Sequence, residues 1–323
     1  MKRPGPPAEA RRGGSGANTR EDAARADGLT ESELALVRLA LVEDLPRGDV
    51  TSRAIFAPSL RARAAIVARE PAVVAGLAAA VAVFREIEPS IDARAEKQSG
   101  APVRDGDSVA PGDSVLRLDG HALAILAGER TALNFLARLS GVATAARAYV
   151  DAVSGTGARI LDTRKTTPGW RTLEKAAVRA GGGENHRLDA SSMILVKDNH
   201  RILAGGLAAC LPRVAEFRSK TGGGKPGSAK PLPLEVEAES LEDVRMLVDA
   251  GVDHILLDNM DVATLREAVA IARRGGRAIT LEASGGVRLD TVRAIAETGV
   301  DAISAGAITH SARAIDFSLE VEP

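Results

Sequence analysis

The chain has a single cysteine, Cys210, in 323 residues, so neither an internal disulfide framework nor a cysteine-built zinc site can form. A lone thiol fits a reducing, cytoplasmic setting. Aromatic residues are 2% of the chain, too few for the stacking platforms that grip single-stranded nucleic acid. Net charge is -1, which disfavours a general nucleic-acid surface; basic residues can matter only where they cluster. No apolar run approaches the ~18 residues of a membrane span. The N-terminus carries arginines but no apolar core, which excludes a secretory signal. Glu9, Glu21, Asp22 and Asp27 speak against a transit peptide. Residues 1–28 hold almost no large apolar side chains and are expected to be a disordered tail.

What the chain does have is alternation. Thr30-Glu31-Ser32-Glu33 is a capping-box pattern that should start a helix running to about Asp44. Residues 62–120 read as short strands around one helix, Ala75–Glu86, with turn chemistry at Asp105-Gly106-Asp107 and Pro111-Gly112-Asp113. A helix is expected over His121–Leu139 and a second from Gly141 to about Val153. Strand-then-helix alternation follows. Strands are expected at Arg159–Leu161, Met193–Val196, Leu234–Val236, His254–Leu257, Ala278–Leu281 and Ala302–Ser304. Helices are expected at Arg171–Ala180, Ile202–Phe217, Leu241–Asp249, Val262–Arg273 and Leu289–Glu297. Such a series predicts a parallel sheet and an α/β barrel with six readable strands. Ser219–Pro233, rich in glycine, proline and lysine, is expected to be a solvated loop.

In a barrel of this kind, residues just past each strand line the active face. Read in order, those positions give Asp162, Thr163, Arg164 and Lys165; Lys197 and Asn199; Glu235 and Glu237; Asp258 and Asn259; Glu282, Ser284, Gly285 and Gly286; Gly306 and Ala307. His186 and Arg187 lie between the first two strands. Taken singly, each signal is weak. Arg164-Lys165 could be solvated surface, Glu-x-Glu a surface pair, Ser-Gly-Gly a plain turn, His186 a structural histidine, and Arg130 a snorkelling helix residue. Trp170 reads as core or as helix-start packing, and His121, His254 and His310 as structural. Together the ring has two signs. Cations at strand ends are costly unless an anion pairs with them. Glu237 and Asp258 opposite them suggest Mg2+, which favours one or two carboxylates plus phosphate oxygens. Ser284-Gly285-Gly286 and Gly306-Ala307 occupy the usual phosphate position.

Glu129-Arg130-Thr131-Ala132-Leu133-Asn134, Asp162–Gly169 (DTRKTTPG), Gly181-Gly182-Gly183 with Asn185-His186-Arg187, and Lys197-Asp198-Asn199-His200 resemble the quinolinate phosphoribosyltransferase family. Glu235-Val236-Glu237, Leu257-Asp258-Asn259 and Ala283-Ser284-Gly285-Gly286 continue the match in order, over about residues 30–320. The resemblance implies an N-terminal α/β sandwich domain (29–140) and an open, TIM-like parallel α/β barrel (141–323), with the C-terminal end packing back on the first domain. It implies transfer of phosphoribosyl from phosphoribosyl pyrophosphate to quinolinate with decarboxylation, in NAD biosynthesis. It also implies a homodimer with shared active sites, or a higher oligomer; charge and composition predict no nucleic-acid or membrane partner.

By the same analogy Arg130 reaches into a partner's pocket, while Thr163, Arg164, Lys165, His186, Arg187 and Lys197 bind quinolinate and phosphates. Glu237 and Asp258 hold Mg2+ and ribose hydroxyls, and Ser284, Gly285, Gly286, Gly306 and Ala307 hold the 5-phosphate. Lys165, Lys197, Glu237 and Asp258 are the expected catalytic groups. The chain departs from the family at the tail, at Ser219–Pro233, and after Arg187, where a common Gly-Leu-aromatic-Asp is Asp189-Ala190-Ser191-Ser192. The alternatives are a phosphoribosyltransferase for another pyridine carboxylate, a Schiff-base aldolase using Lys197 or Lys165, and a phosphate-binding sensor without chemistry.

Overall fold

The computed structural model describes residues 28–221, 231–274 and 276–322. Residues 1–27 of the expected tail (1–28) and residues 222–230, most of the expected loop, lie outside the described residues.

The first helix, α1 (Glu31–Asp44), opens with the expected capping box: the Thr30 side chain accepts from Glu33 N–H while the Glu33 carboxylate accepts from Thr30 N–H. A short helix not foreseen from the sequence, α2 (Val50–Ile55), is capped by Asp49. A four-stranded antiparallel sheet follows, built from β1 (Arg61–Ala68), β3 (Asp92–Arg94), β5 (Ser114–His121) and the C-terminal strand β12 (Phe317–Glu322), in the order β12-β1-β5-β3. The two-stranded β2 (Ala72–Val73) and β4 (Ser108–Val109) form a separate ribbon. Helix α3 (Leu77–Ile87) packs against α4 (Ala122–Ala152).

Helix α4 corrects the expected pair of helices. It runs unbroken for 31 residues through Gly141. That glycine is not a stop but a contact: a Cβ there would sit 1.9 Å from the Arg313 carbonyl oxygen. A glycine scored as a helix end by local rules is here the point where another chain segment touches the helix.

The six predicted barrel strands are all present: β6 (Arg159–Leu161), β7 (Ile194–Val196), β8 (Leu234–Ala238), β9 (His254–Asp258), β10 (Thr280–Ser284) and β11 (Ala302–Ser304). They form one parallel sheet in the order β6-β11-β10-β9-β8-β7. The fold is thus an open α/β barrel joined to an antiparallel-sheet unit. Among the described residues no ladder joins β6 to β7. Beside β6 the 181–193 loop takes that place, with Glu184 bridged in parallel to Leu161.

The covering helices are α5 (Arg171–Ala180), α6 (Asp198–Ala204), α7 (Leu207–Thr221), α8 (Leu241–Ala250), α9 (Val262–Arg274), α10 (Val292–Ala296) and α11 (Ala307–His310). The expected helix Ile202–Phe217 is really two, α6 and α7, because Gly205 and Gly206 both take positive φ between them. Helix α7 also runs on through Thr221, into the stretch expected to be loop. The expected strand Ala278–Leu281 begins two residues later, and the expected helix Leu289–Glu297 shrinks to Val292–Ala296. Trp170 stands at the N-cap of α5 and stacks on Phe135 of α4, with ring centroids 4.7 Å apart.

Candidate active site

Barrel interiors are normally filled with branched aliphatics. Here register places three glutamates inside. Glu237 of β8 pairs with Leu256 of β9, which pairs with Glu282 of β10, so the three side chains share one face. Glu235, two residues before Glu237, shares it too. All three glutamates are at most 4% exposed. An interior this acidic demands cations, and the gap between β6 and β7 supplies them.

Arg164 and Lys165 follow β6, His186 and Arg187 lie in the loop beside it, and Lys197 caps α6 after β7. Lys197 Nζ lies 3.7 Å from Glu237 Oε2. Burial and the neighbouring charge of Asp258 both push Glu237 above the usual glutamate range, against the pull of Lys197. Two carboxylates are therefore held close enough to repel, at the ends of adjacent strands. Asp258 also accepts from the Asn259 amide at 2.6 Å.

The cationic side is strained in the same sense. Burial, and then the charge of Arg164, lower Arg187 from its ordinary value. Its guanidinium donates to the Met193 carbonyl at 3.0 Å. Among the described residues neither Arg164 nor Lys165 pairs with a carboxylate. Two arginines close enough to repel, at the mouth of a gap, are arranged for an anion that is not part of the protein.

The loops carrying these groups are fixed by two buried ion pairs that sequence reasoning did not single out. Lys175 of α5 pairs with Asp162, both almost fully buried, and also donates to the His186 carbonyl at 3.0 Å. Asp162 additionally accepts from the His186 backbone N–H at 2.9 Å and the Asn185 amide at 2.6 Å. Burial raises Asp162 and lowers Lys175, each against its partner's pull. Arg138 of α4 pairs with the fully buried Glu174 at 2.8 Å and donates to the carbonyls of Thr309 and Ala312. Glu174 in turn accepts from Thr167 N–H and hydroxyl. The signal that could have found them is helical spacing: Glu174 and Lys175 sit in the α5 stripe that faces the barrel, where charged residues need partners.

Of the other expected site residues, Thr163 accepts from the Lys165 N–H at 3.0 Å, closing a local turn. Lys165 lies across Gly306, whose absent Cβ would fall 3.0 Å from Lys165 Cδ; the Thr309 hydroxyl donates to the Lys165 carbonyl at 2.8 Å. Ala307 begins α11. Ser284 accepts from Asn259 N–H, and Gly285 must be glycine: it has φ +89°, and a Cβ would meet Asn259 Oδ1 at 2.3 Å. Asn259 itself has φ +53°, the one non-glycine described with positive φ. Gly286 also has positive φ, with open space around it. Asp189 accepts from the N–H groups of Ser191 and Ser192, closing a turn.

Two residues lie outside the ring of groups described so far. Arg130, in the first third of α4, is exposed, and its nearest carboxylate is Glu129 at 4.0 Å. It is not among the groups gathered at the strand ends of its own chain. His186 turns inward: Nε2 lies 3.0 Å from Glu235 Oε2 and 3.5 Å from Glu282 Oε2, while Nδ1 accepts the Arg187 N–H at 2.7 Å. Both ring nitrogens are engaged by the protein. Among the described residues, His186, Glu235 and Glu282 are also the group of three potential metal ligands that lie closest together; Glu237 and Asp258 are not in it.

Profiles of known families match along the chain: quinolinate phosphoribosyl transferase, N-terminal domain, over residues 49–140, and the C-terminal domain of the same family over 142–320. A nicotinate-nucleotide pyrophosphorylase [carboxylating] of Mycobacterium leprae is 40% identical, over 88% of this chain and 95% of its own. A chloroplastic nicotinate-nucleotide pyrophosphorylase [carboxylating] of Oryza sativa is 39% identical, over 89% of this chain and 77% of its own. The solved nicotinate-nucleotide pyrophosphorylase of Francisella tularensis superposes with a TM-score of 0.80 at 35% identity, covering 90% of this chain and 96% of that one. With matches of this extent and a ring of cations facing carboxylates at the strand ends, the chain belongs to the quinolinate phosphoribosyltransferase family.

Proposed function

We propose that this protein transfers the phosphoribosyl group of phosphoribosyl pyrophosphate to the ring nitrogen of quinolinate, releasing pyrophosphate and CO2 and forming nicotinate mononucleotide, a step of NAD biosynthesis. The observation that carries this reading is the two-signed ring. Arg187 is crowded by Arg164 across the gap, while Glu237 and Asp258 crowd one another on the sheet beside Lys197. Quinolinate has two adjacent carboxylates, which planar guanidinium groups pair with bidentately. Arg164 and Arg187 bind that diacid and aim its ring nitrogen at C1 of the sugar. Lys165 and Lys197 neutralise charge growing on the departing pyrophosphate. Ser284, Gly285, Gly286, Gly306 and Ala307 cradle the 5-phosphate through backbone N–H groups.

Mg2+ fits the carboxylate side. The mutual repulsion of Glu237 and Asp258 is what a divalent cation relieves, and two carboxylates completed by phosphate oxygens are its preferred donor set. When bound, it supplies charge neutralisation to the pyrophosphate. The pyridinium formed on transfer withdraws electrons from the 2-carboxylate, so CO2 leaves and a proton takes its place at that carbon. Positioning and electrostatics carry the reaction, with little acid–base chemistry asked of side chains.

Arg130, exposed on α4, fits a homodimer in which it completes the partner's site. A cytoplasmic location fits the lone buried Cys210, and among the described residues no helix is long and apolar enough to cross a membrane. Plant relatives carry chloroplastic and mitochondrial names. Incubation with quinolinate, phosphoribosyl pyrophosphate and Mg2+ is expected to yield nicotinate mononucleotide and CO2 in equal amounts, and chelation of Mg2+ to stop it. Nicotinate turning over in place of quinolinate, with no CO2 formed, would instead select the other pyridine-carboxylate reading.

A further inference from the structure

The buried trio of His186, Glu235 and Glu282 lies behind the cations and takes no part in the chemistry described above. Its geometry is specific. Nδ1 of His186 accepts the Arg187 N–H at 2.7 Å, so the ring's proton is on Nε2. That N–H points at Glu235, at 3.0 Å, with Glu282 at 3.5 Å. A nitrogen that already carries its proton has no lone pair for a metal, so the trio is not a metal site despite its composition. A third neighbour, Ser304 of β11, interacts with Glu282 from the adjacent strand. Glu282 Oε1 is buried without a hydrogen-bond partner, so this carboxyl group is held in place at a cost.

We infer that Glu235 and Glu282 are positioning residues for the diacid site. They lock the His186 ring in the Nε2–H form, and the ring's other nitrogen then fixes the Arg187 backbone and hence where its guanidinium stands beside Arg164. The chain of contacts runs from the barrel interior outward: β8 and β10 carboxylates, His186 imidazole, Arg187 amide. His186 is then the bracket on which the substrate's arginine is mounted. The same ring also receives support from below, because Asp162 accepts the His186 N–H and Lys175 donates to its carbonyl. The bracket is therefore held at backbone and at side chain, leaving the imidazole one orientation.

This inference rests on the proposed quinolinate activity, and wild-type turnover is the control that tests that activity separately. Given an active wild type, Glu235→Leu should raise KM for quinolinate about tenfold, the scale of one lost hydrogen bond to a charged group. kcat and KM for phosphoribosyl pyrophosphate should stay within about twofold. Glu235→Gln, which keeps an acceptor of the same shape, should restore most of the loss. A general structural role would move both substrates together and would overturn the inference, as would an unchanged KM for quinolinate in the Leu variant. Nitrogen-15 NMR of the wild-type histidines settles the same point even where the Leu variant does not fold. His186 should show an unprotonated Nδ1 and a protonated Nε2; the reverse assignment would overturn the inference.

Discussion

Glu282 sits where an aliphatic residue belongs, and its titration records the cost. Burial and the charge of Glu235 hold it up at about 7, from an ordinary 4.5. The folded chain therefore binds a proton that the unfolded chain has released between those two values. Stability contributed by the protonated group is complete below pH 4.5, falls as pH rises through about 7, and levels off above it. Glu282→Gln fixes the neutral form. Its unfolding temperature should vary less with pH across that window than the wild type's, and the variant should be the more stable of the two at pH 8. Parallel pH profiles for the two proteins would show that Glu282 is already ionised at neutral pH. The cationic residues obey the same logic in reverse. Arg187 is kept below its ordinary value by burial and by Arg164, so binding a diacid releases a tension that is already present in the fold.

At the scale of elements, α4 is the member that ties the two sheets together. Arg138 on it holds Glu174 of α5 and the carbonyls of Thr309 and Ala312. Phe135 stacks on Trp170, and Gly141 lets the Arg313 carbonyl come into direct contact. Gly181 makes a second close approach, since a Cβ there would fall 2.3 Å from the Ala143 carbonyl oxygen. Gly141→Ala thus sets two effects against each other. Helix propensity favours alanine by about 1 kcal/mol. The clash, with backbone rather than with a flexible side chain, costs about 1–3 kcal/mol as overpacking. The clash should win, lowering the denaturant midpoint at an unchanged slope. A stabilised variant would mean that the 312–315 segment can move away from α4 freely.

For the molecule as a whole, the last strand described is hydrogen-bonded to the first. β12 pairs with β1 over six residue pairs, from Arg63 with Glu322 to Ala68 with Phe317. The barrel is thereby bracketed by a sheet whose strands come from before and after it in sequence. Arg130 is exposed on the helix that links the two, and the proposed shared-site dimer has a direct test. Arg130→Ala and Arg187→Ala subunits should each be nearly inactive alone. Mixed and reassociated, they should recover about a quarter of wild-type activity, because half of the dimers are hybrid and each hybrid has one site free of both changes. No recovery on mixing would place Arg130 in its own subunit's site or in none.

The sequence by itself determined the parts whose physics is local. The capping box at Thr30, the six barrel strands, helix α5 to the residue, and the alternation that makes the sheet parallel could all be read from side-chain period and caps. Charge chemistry at strand ends made the two-signed ring visible before any coordinates, because strand ends are where polar side chains collect in such folds. Tertiary structure alone decided whatever depends on distant partners. Gly141 reads locally as a helix stop, and only the Arg313 carbonyl against it explains an unbroken α4. β12 finds its partner some 250 residues away, beyond the reach of any local pattern. The inward turn of His186 is set by two carboxylates on β8 and β10, and sequence spacing places those residues without saying which way an imidazole between them will face.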